Sequence, residues 1–306
     1  MKKLVLIDAN ALVHRAFHAL PPLTTRSGEL VNAVYGFSSV LIKVINEMKP
    51  DYIAAAFDLA APTFRHIEYK DYKAKRPKAP DELYEQIPRA KEVLKAFNIP
   101  ILEKEGFEAD DIIGTVAKKY TDKKIDILIM TGDLDTLQLI DDNIRIYTMK
   151  KGLSDTVIYG EKEVEERYGL KVSQMIDYKA LRGDPSDNIP GVRGIGEKGA
   201  CALLKEFGTL ENIYKNVNKI KSKSIAEKLK TNKQMAIFSK RLVTIRQNVP
   251  LKIDLKTLDW QENFDINKVK ELFNELNFQT LIRRLPGNSE PIKKPEPENN
   301  SQQNLF

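Results

Sequence analysis

One cysteine, Cys201, and three histidines are all the thiol and imidazole metal ligands that 306 residues contain. A lone thiol excludes an internal disulfide framework and every Cys-based zinc site. It falls in the helical pattern ACALLKEF, where a buried, reduced and inert side chain is expected. His14, His18 and His66 share no ligand spacing. Long apolar runs are also missing. None approaches the ~20 residues of a membrane span. MKKLVLIDAN has only the run LVLI before its first acid, too short for a signal peptide. A soluble, cytoplasmic protein with no membrane partner is expected. A large excess of one charge is missing too: 49 Lys and Arg against 43 Asp and Glu leave a net charge of +6. That excess permits nucleic-acid binding without requiring it.

What the chain does have is short apolar runs that stop at acids. KLVLID and DYIAAAFD end in aspartate, and KKIDILIMTGD reaches one just after a glycine. Helical patterns separate them: NALVHRAFHAL, AVYGFSSVLIKVINEM and ADDIIGTVAKKY. Continuous Val/Ile/Leu runs alternating with helices predict an α/β class, a mostly parallel central sheet with helices on both faces. NIPIL adds a strand, and NIRIYTM and DTVIYG are expected to pair at an edge. This core is expected over residues 1–160. Residues 161–286 read as short helices, and 287–306 as a disordered tail with no apolar period. There is no internal repeat.

In open parallel sheets, ligands sit outside the carboxyl ends of the strands. Asp8, Asp58, Asp133 and Asp135 fall there. FEADDII places Glu108, Asp110 and Asp111 in the first turn of a helix, where acids also serve simply to offset the helix dipole. Glu108 and Asp111, three apart, share a face. GDPSDNIP adds Asp184 and Asp187. Nine carboxylates on one edge repel, at roughly 1–4 kcal/mol per close pair at 4 Å. Something cationic is required. An all-oxygen donor set suits Mg²⁺ or Mn²⁺, and two or more such ions suit in-line phosphodiester hydrolysis.

The acids run straight into PGVRGIGEKGA. Its Gly194, Gly196 and Gly199 spell G-x-G-x-x-G, but no strand precedes them, so a dinucleotide site is not expected. A hairpin between two helices, at 185–206, fits better. Its glycines and the following helix N-terminus admit a phosphate backbone without reading bases.

VLIDANALVHRAFHAL, LTTRSGELVNAVYGF, FDLAAPTFRHIEYKDYKAKRP, GFEADDIIGT, TGDLDTLQL and GDPSDNIPGVRGIGEKGA closely resemble the 5′ nuclease domain of bacterial DNA polymerase I, in the flap endonuclease family. The resemblance covers about residues 3–285. It implies a metal-dependent 5′-3′ exonuclease and flap endonuclease of replication and repair, monomeric and associated with the nucleoid. Its substrates would be branched or nicked duplexes with a single-stranded 5′ end, and RNA primers. It implies Asp8, Asp58, Glu108 and Asp110 around one ion, and Asp133, Asp135 and Asp184 around a second. Asp111 and Asp187 would be accessory. A helical arch over the site is implied at about 64–90, with Lys73 and Arg76 reaching the scissile phosphate. The block itself interleaves tyrosines and cations as single-strand grooves do. The DNA-contacting set would be His14, Arg15, Tyr72 and Lys75 near the site, with Gly191, Gly194, Gly196 and Lys198 at a helix-hairpin-helix that also takes a monovalent cation such as K⁺. His14 stands where the family often has a stacking tyrosine. No polymerase sequence follows within these residues, so a standalone nuclease or a fragment of a polymerase is expected. Two alternatives are an RNase of the related small-sheet nucleases and a non-catalytic DNA-binding paralogue. The first lacks the hairpin and arch, and the intact acid set argues against the second.

The last residues, QQNLF, place Leu305 and Phe306 at the tip of a polar tail. With Gln302 they resemble the glutamine-x-x-leucine-phenylalanine peptides that dock on the bacterial sliding clamp.

Overall fold

The computed structural model describes residues 1–287, apart from 122 and 154. The peptide at 302–306, and the tail beyond 287, lie outside the described residues. Among the described residues, six strands form one sheet: β1 (Lys3–Asp8), β2 (Tyr52–Ala56), β3 (Ile101–Leu102), β4 (Asp126–Met130), β5 (Ile144–Lys151) and β6 (Asp155–Tyr159). Their order is β3-β2-β1-β4-β5-β6. The first five run parallel, with Leu4 opposite both Tyr52 and Ile127. β6 turns back antiparallel against β5, as the edge pairing required.

Helices fill the crossovers. α1 (Ala9–Ala19) and α2 (Asn32–Met48) connect β1 to β2. α3 (Phe64–Glu68), α4 (Asp81–Tyr84) and α5 (Ile87–Ala96) precede β3, and α6 (Ala109–Thr121) leads to β4. Past β6 come α7 (Glu161–Tyr168), α8 (Met175–Arg182), α9 (Glu197–Phe207), α10 (Leu210–Lys215), α11 (Lys223–Thr231), α12 (Lys233–Val243), α13 (Ile266–Glu275) and α14 (Gln279–Ile282).

Strand side chains alternate between faces, and both faces are covered, which is why the strands read as unbroken apolar runs. Leu4, Leu6, Ile127 and Ile129 pack with Ile112 and Val116 of α6, and onward with Leu181, Leu203 and Leu229 of the helix-rich region. Cys201 joins this cluster from its edge, half-buried. Val5, Ile7, Ile53 and Leu128 pack the other way, against Phe37 and Leu41 of α2 and Val93 of α5. The segment expected to close the helix-rich region does not stay there. Trp260, Phe273, Phe278 and Leu285 cross to the α2–α5 face and complete its core. Trp260 Nε1 donates to the Pro50 carbonyl at 3.0 Å, fixing that crossing.

The arch segment carries little helix. α3 and α4 have five and four residues, joined by turns. Pro77 and Pro80 break any longer helix there. α5 already belongs to the core, with Ala90, Val93 and Leu94 buried.

Candidate active site

β1 lies between β2 and β4, so the strand order reverses beside it. A crevice at such a switch point opens at the carboxyl ends of the strands, and the acids stand around it. Asp8 ends β1 and caps α1, its Oδ1 accepting from the Ala11 N–H at 3.0 Å. Its Oδ2 accepts from the Thr131 hydroxyl at 2.7 Å. Burial, and then Asp58, push this carboxyl up to about 7. Asp58 follows β2 and accepts from the Ala109 N–H at 2.7 Å, which ties it to the start of α6. Burial raises it as well.

Asp110 is pushed well above the carboxylate range by burial, then by Asp133, Asp8, Asp135 and Asp58. Four acids from three strand ends therefore press on Asp110. Asp133 caps the short helix at Leu134–Leu139, accepting from the Asp135 N–H at 2.8 Å. Burial and Asp133 push Asp135 up to about 7 even though Lys179 opposes them. Lys179, from α8, bridges Asp135 and Asp184, with Nζ 2.6 Å from Asp184 Oδ2. Against burial, Lys179 and Ser186 hold Asp184 below its usual value.

Asp8, Asp58, Glu108, Asp110 and Asp133 line one cleft of about 590 Å³, with Lys73, Arg76 and His14 on its wall. Lys73 Nζ donates to Glu108 Oε1 at 2.9 Å, and Arg76 Nη2 to Asp187 Oδ1 at 2.8 Å. Lys73 and Arg65 keep Glu108 low despite its burial. Burial wins at Asp187, which is raised. Lys73 holds a left-handed φ of +56°, and its N–H donates to the Asp187 carbonyl at 3.0 Å. The loop at 69–76 is thereby pinned over the loop at 184–190. Lys75 is exposed on it.

The donor set fits a hard cation: every candidate ligand is a carboxylate, and Asp8, Asp110 and Asp135 are raised by burial and then by neighbouring acids. Among the described residues no three acids already converge in ligating geometry. Their oxygens are turned onto protein donors, namely Thr131, the Ala11 and Ala109 amides, and Lys179.

Asp111 keeps to an accessory place, and three expected DNA-contacting residues, Tyr72, Arg15 and Gly191, make contacts within the protein. Asp111 is fully buried and faces away from the cleft, paired with Arg65 at 2.7 and 2.9 Å. Its role is to fix Glu108, whose N–H it accepts at 3.2 Å. Tyr72 cannot stack on a base, because it is 4% exposed. Its hydroxyl lies 3.0 Å from both Glu108 Oε2 and Asp187 Oδ2. Burial and those two acids raise the phenol, which stays a donor. Arg15 spends its guanidinium on the Met149, Lys150 and Gly152 carbonyls of the β5–β6 turn. The Gly191 N–H is taken by Ser239 Oγ at 3.1 Å. Gly191 is needed for packing: a Cβ there would lie 2.3 Å from the Gly183 nitrogen.

His14 is half-buried, edge-on to Tyr84 at 6.4 Å, and burial then His18 lower it toward the neutral imidazole. At the hairpin, Gly196 caps α9 without a side chain, so no side chain covers the first-turn N–H groups. Lys198 is exposed in that turn. Where a monovalent cation is expected, the Gly194 carbonyl accepts from Lys228 Nζ at 3.2 Å. Arg65, Lys179 and Thr131 were not legible as site residues. The only trace of Lys179 was its place five residues before Asp184.

Residues 3–169 match the family model described as 5′-3′ exonuclease, N-terminal resolvase-like domain, and residues 170–265 the one described as 5′-3′ exonuclease, C-terminal SAM fold. The chain belongs to the 5′-3′ exonuclease family. Within that family, DNA polymerase I of Caldicellulosiruptor bescii is 48% identical over 296 residues, 95% of this chain and 34% of the relative. DNA polymerase I of Bacillus subtilis is 43% identical over 284 residues, 93% of this chain and 32% of the relative. The chain spans about a third of the length of these relatives and matches their nuclease portion. The resemblance seen in the sequence is borne out. The exonuclease fold is shared with the T5 D15 protein co-crystallised with metal ions, at TM-score 0.67 and 18% identity, covering 90% of this chain and 99% of that one. It is shared with the catalytic core of Rad2 in complex with DNA, at TM-score 0.55 and 18% identity, covering 90% and 88%. Among the described residues no helix is long and apolar enough to cross a membrane.

Proposed function

We propose that the chain is a divalent-metal-dependent 5′-3′ exonuclease and 5′-flap endonuclease. Its substrates are branched or nicked duplex DNA with a single-stranded 5′ end, and RNA primers, in replication and repair. The observation that carries this reading is the convergence of Asp8, Asp58, Asp110 and Asp133 on one cleft whose wall also holds Lys73 and Arg76.

Asp8, Asp58, Glu108 and Asp110 would hold one Mg²⁺ or Mn²⁺, and Asp133, Asp135 and Asp184 a second, with Asp187 nearby. When bound, such ions lower the pKa of an attacking water and neutralise a leaving oxygen. The protein's own part is to bind and to place charge. Lys73 and Arg76, now paired with Glu108 and Asp187, would turn to the scissile phosphate and offset its developing charge. The pinned loop at 69–76 narrows the approach, favouring a single strand. His14 offers an aromatic edge beside the cut. The hairpin grips duplex backbone through Gly194, Gly196 and the α9 amides, and a K⁺ held at its carbonyls would displace the Lys228 ammonium from Gly194. Grip and cut then stand at a set distance.

We read the working form as a monomer, in the cytoplasm at the nucleoid. Gln302, Leu305 and Phe306 would dock on the sliding clamp. Burying Leu305 and Phe306 in an apolar pocket supplies a few kcal/mol, and tethering to the clamp raises local concentration. A clamp titration with and without Leu305 and Phe306 tests that contact, and equal binding would remove it. The central test is Asp135→Ala. It is expected to abolish Mg²⁺-dependent cleavage of a 5′-flap duplex while leaving flap binding measurable. Undiminished turnover by this variant would sink the reading.

A further inference from the structure

Thr131 lies one residue beyond β4 and is fully buried. The sheet decides where its side chain goes. Ile7 of β1 stands opposite Met130 of β4, so the next residues along, Asp8 and Thr131, come abreast. Paired residues of parallel strands in register send their side chains to the same face. The Thr131 N–H donates to the Tyr147 carbonyl of β5 at 3.1 Å, so its backbone is still held as strand backbone is. Gly132 then starts the turn that delivers Asp133.

In that position one hydroxyl uses both of its hydrogen-bonding functions. It donates to Asp8 Oδ2 at 2.7 Å and accepts from the Asp133 N–H at 2.9 Å. The bonds continue on either side. Asp8 Oδ1 accepts from the Ala11 N–H at 3.0 Å, and Asp133 Oδ1 from the Asp135 N–H at 2.8 Å. One run of hydrogen bonds therefore leads from Asp8, in the set proposed for one ion, to Asp133 and Asp135, in the set proposed for the other. Thr131 carries no charge and belongs to neither set.

We propose that Thr131 is a positioning residue of the metal site, its one hydroxyl setting the Asp8 carboxylate and the Asp133 turn together so that both ions depend on it. The proposal rests on the reading that these acids hold divalent ions. A carboxylate oxygen has two lone pairs. Asp8 Oδ2 can keep its bond to Thr131 on one and offer the other to an ion. A carboxylate held in place beforehand loses less freedom on binding. Partners of this kind change metal affinity by about 10–100-fold. At Asp133 the hydroxyl acts on the backbone. Without it the Asp133 N–H loses its partner, and the turn that presents Asp133 and Asp135 loses its tie to the end of β4. Valine has the shape and β-branch of threonine but supplies neither bond. Serine supplies both without the methyl group.

The test is a Mn²⁺ titration of the DNA-free chain, with unbound ion counted by electron paramagnetic resonance. The wild type is expected to take up at least two ions. Thr131→Val should weaken both by about tenfold or more. Thr131→Ser should bind them as the wild type does. Ser186 gives a one-sided comparison: its hydroxyl donates to Asp184 Oδ1 at 2.6 Å and touches the second set alone, so Ser186→Ala should weaken one ion only. In flap cleavage, the Mn²⁺ needed for half the maximal rate should rise for Thr131→Val by the same factor, with the rate regained at saturating Mn²⁺. If Thr131→Val does not fold, Thr131→Ser and Thr131→Ala decide the matter. Both lack the methyl group and differ only in the hydroxyl, and the alanine variant should bind Mn²⁺ about tenfold more weakly than the serine one. Wild-type affinity in Thr131→Val, or equal affinity in the serine and alanine variants, overturns the positioning role and leaves the metal reading standing. Weakening of a single ion by Thr131→Val overturns the link between the two sets. If the wild-type chain takes up no Mn²⁺, the metal reading fails and the proposal falls with it.

Discussion

Arg65 and Asp111 meet fork to fork: Nη1 donates to Oδ2 at 2.7 Å and Nη2 to Oδ1 at 2.9 Å. Both are buried, and neither lies at a strand end. Around them three parts of the chain are joined. Arg65 Nε donates to the Leu242 carbonyl at 2.8 Å, Arg246 N–H to Asp111 Oδ1 at 2.8 Å, and Arg65 Nη1 to Glu108 Oε2 at 3.3 Å. The start of the arch, the first turn of α6 and the end of α12 thus share one ion pair.

Removing one member leaves a buried charge without a partner, which costs about 3–5 kcal/mol. Arg65→Ala is expected to lose that much stability in urea unfolding. Adding Asp111→Asn to it should cost far less than the sum of the two single changes. Strict additivity would mean that the pair does not act as a unit.

Lys73 combines a charge role with a backbone role. Lys73→Ala should slow single-turnover flap cleavage by ~10²-fold or more, the loss expected for one preorganised charge-stabilising group. A left-handed φ costs a non-glycine residue about 1 kcal/mol. Lys73→Gly should therefore be as slow as Lys73→Ala but more stable to heat. If Lys73→Ala changes binding alone, the amine does not act at the scissile phosphate.

Gly194 is left-handed at +82° and lies under the Lys228 stem. Gly194→Val meets both obstacles, since a β-branched residue is strained there. It is expected to weaken duplex binding while sparing the rate at saturating flap DNA. Equal duplex affinity for the two proteins would refute the grip.

The pH dependence follows from Asp8 and Asp135, each raised from 3.8 to about 7 by burial and neighbouring acids. Between those values the folded chain binds more protons than the unfolded one, so stability falls as pH rises. Without divalent ions, Tm should drop from pH 4 toward pH 7 and level off above it, as far as these two groups decide. Bound ions need the deprotonated carboxylates. The Tm gained on adding Mg²⁺ should therefore be larger at pH 8 than at pH 6. Scans at the two pH values check this, and an equal gain would contradict the raised carboxyls.

The sheet, its edge hairpin and the row of acids at the strand ends were legible because each depends on local pattern. Apolar runs of five or six residues alternating with helices are buried most readily as parallel strands, and Asp8, Asp58 and Asp133 sit where such strands stop. What each acid does there was not legible. Asp111 and Glu108 share a helix face, yet Arg65, 46 residues from Asp111, takes Asp111 into the interior. Lys179, 44 residues from Asp135, crosses between Asp135 and Asp184. Tyr72 had the composition of a stacking groove but lies beneath it, between Glu108 and Asp187. Trp260 and Phe273 read as part of a helical second region and instead complete the α2–α5 core. Hydrophobic period and turn chemistry are written within a few residues, so the chain's elements and the edge where its charge collects follow from sequence alone. A buried charge, however, must find its counterion wherever the fold brings one close. Only the tertiary structure decided which carboxylates were neutralised by arginine and lysine and which were left to share the cleft.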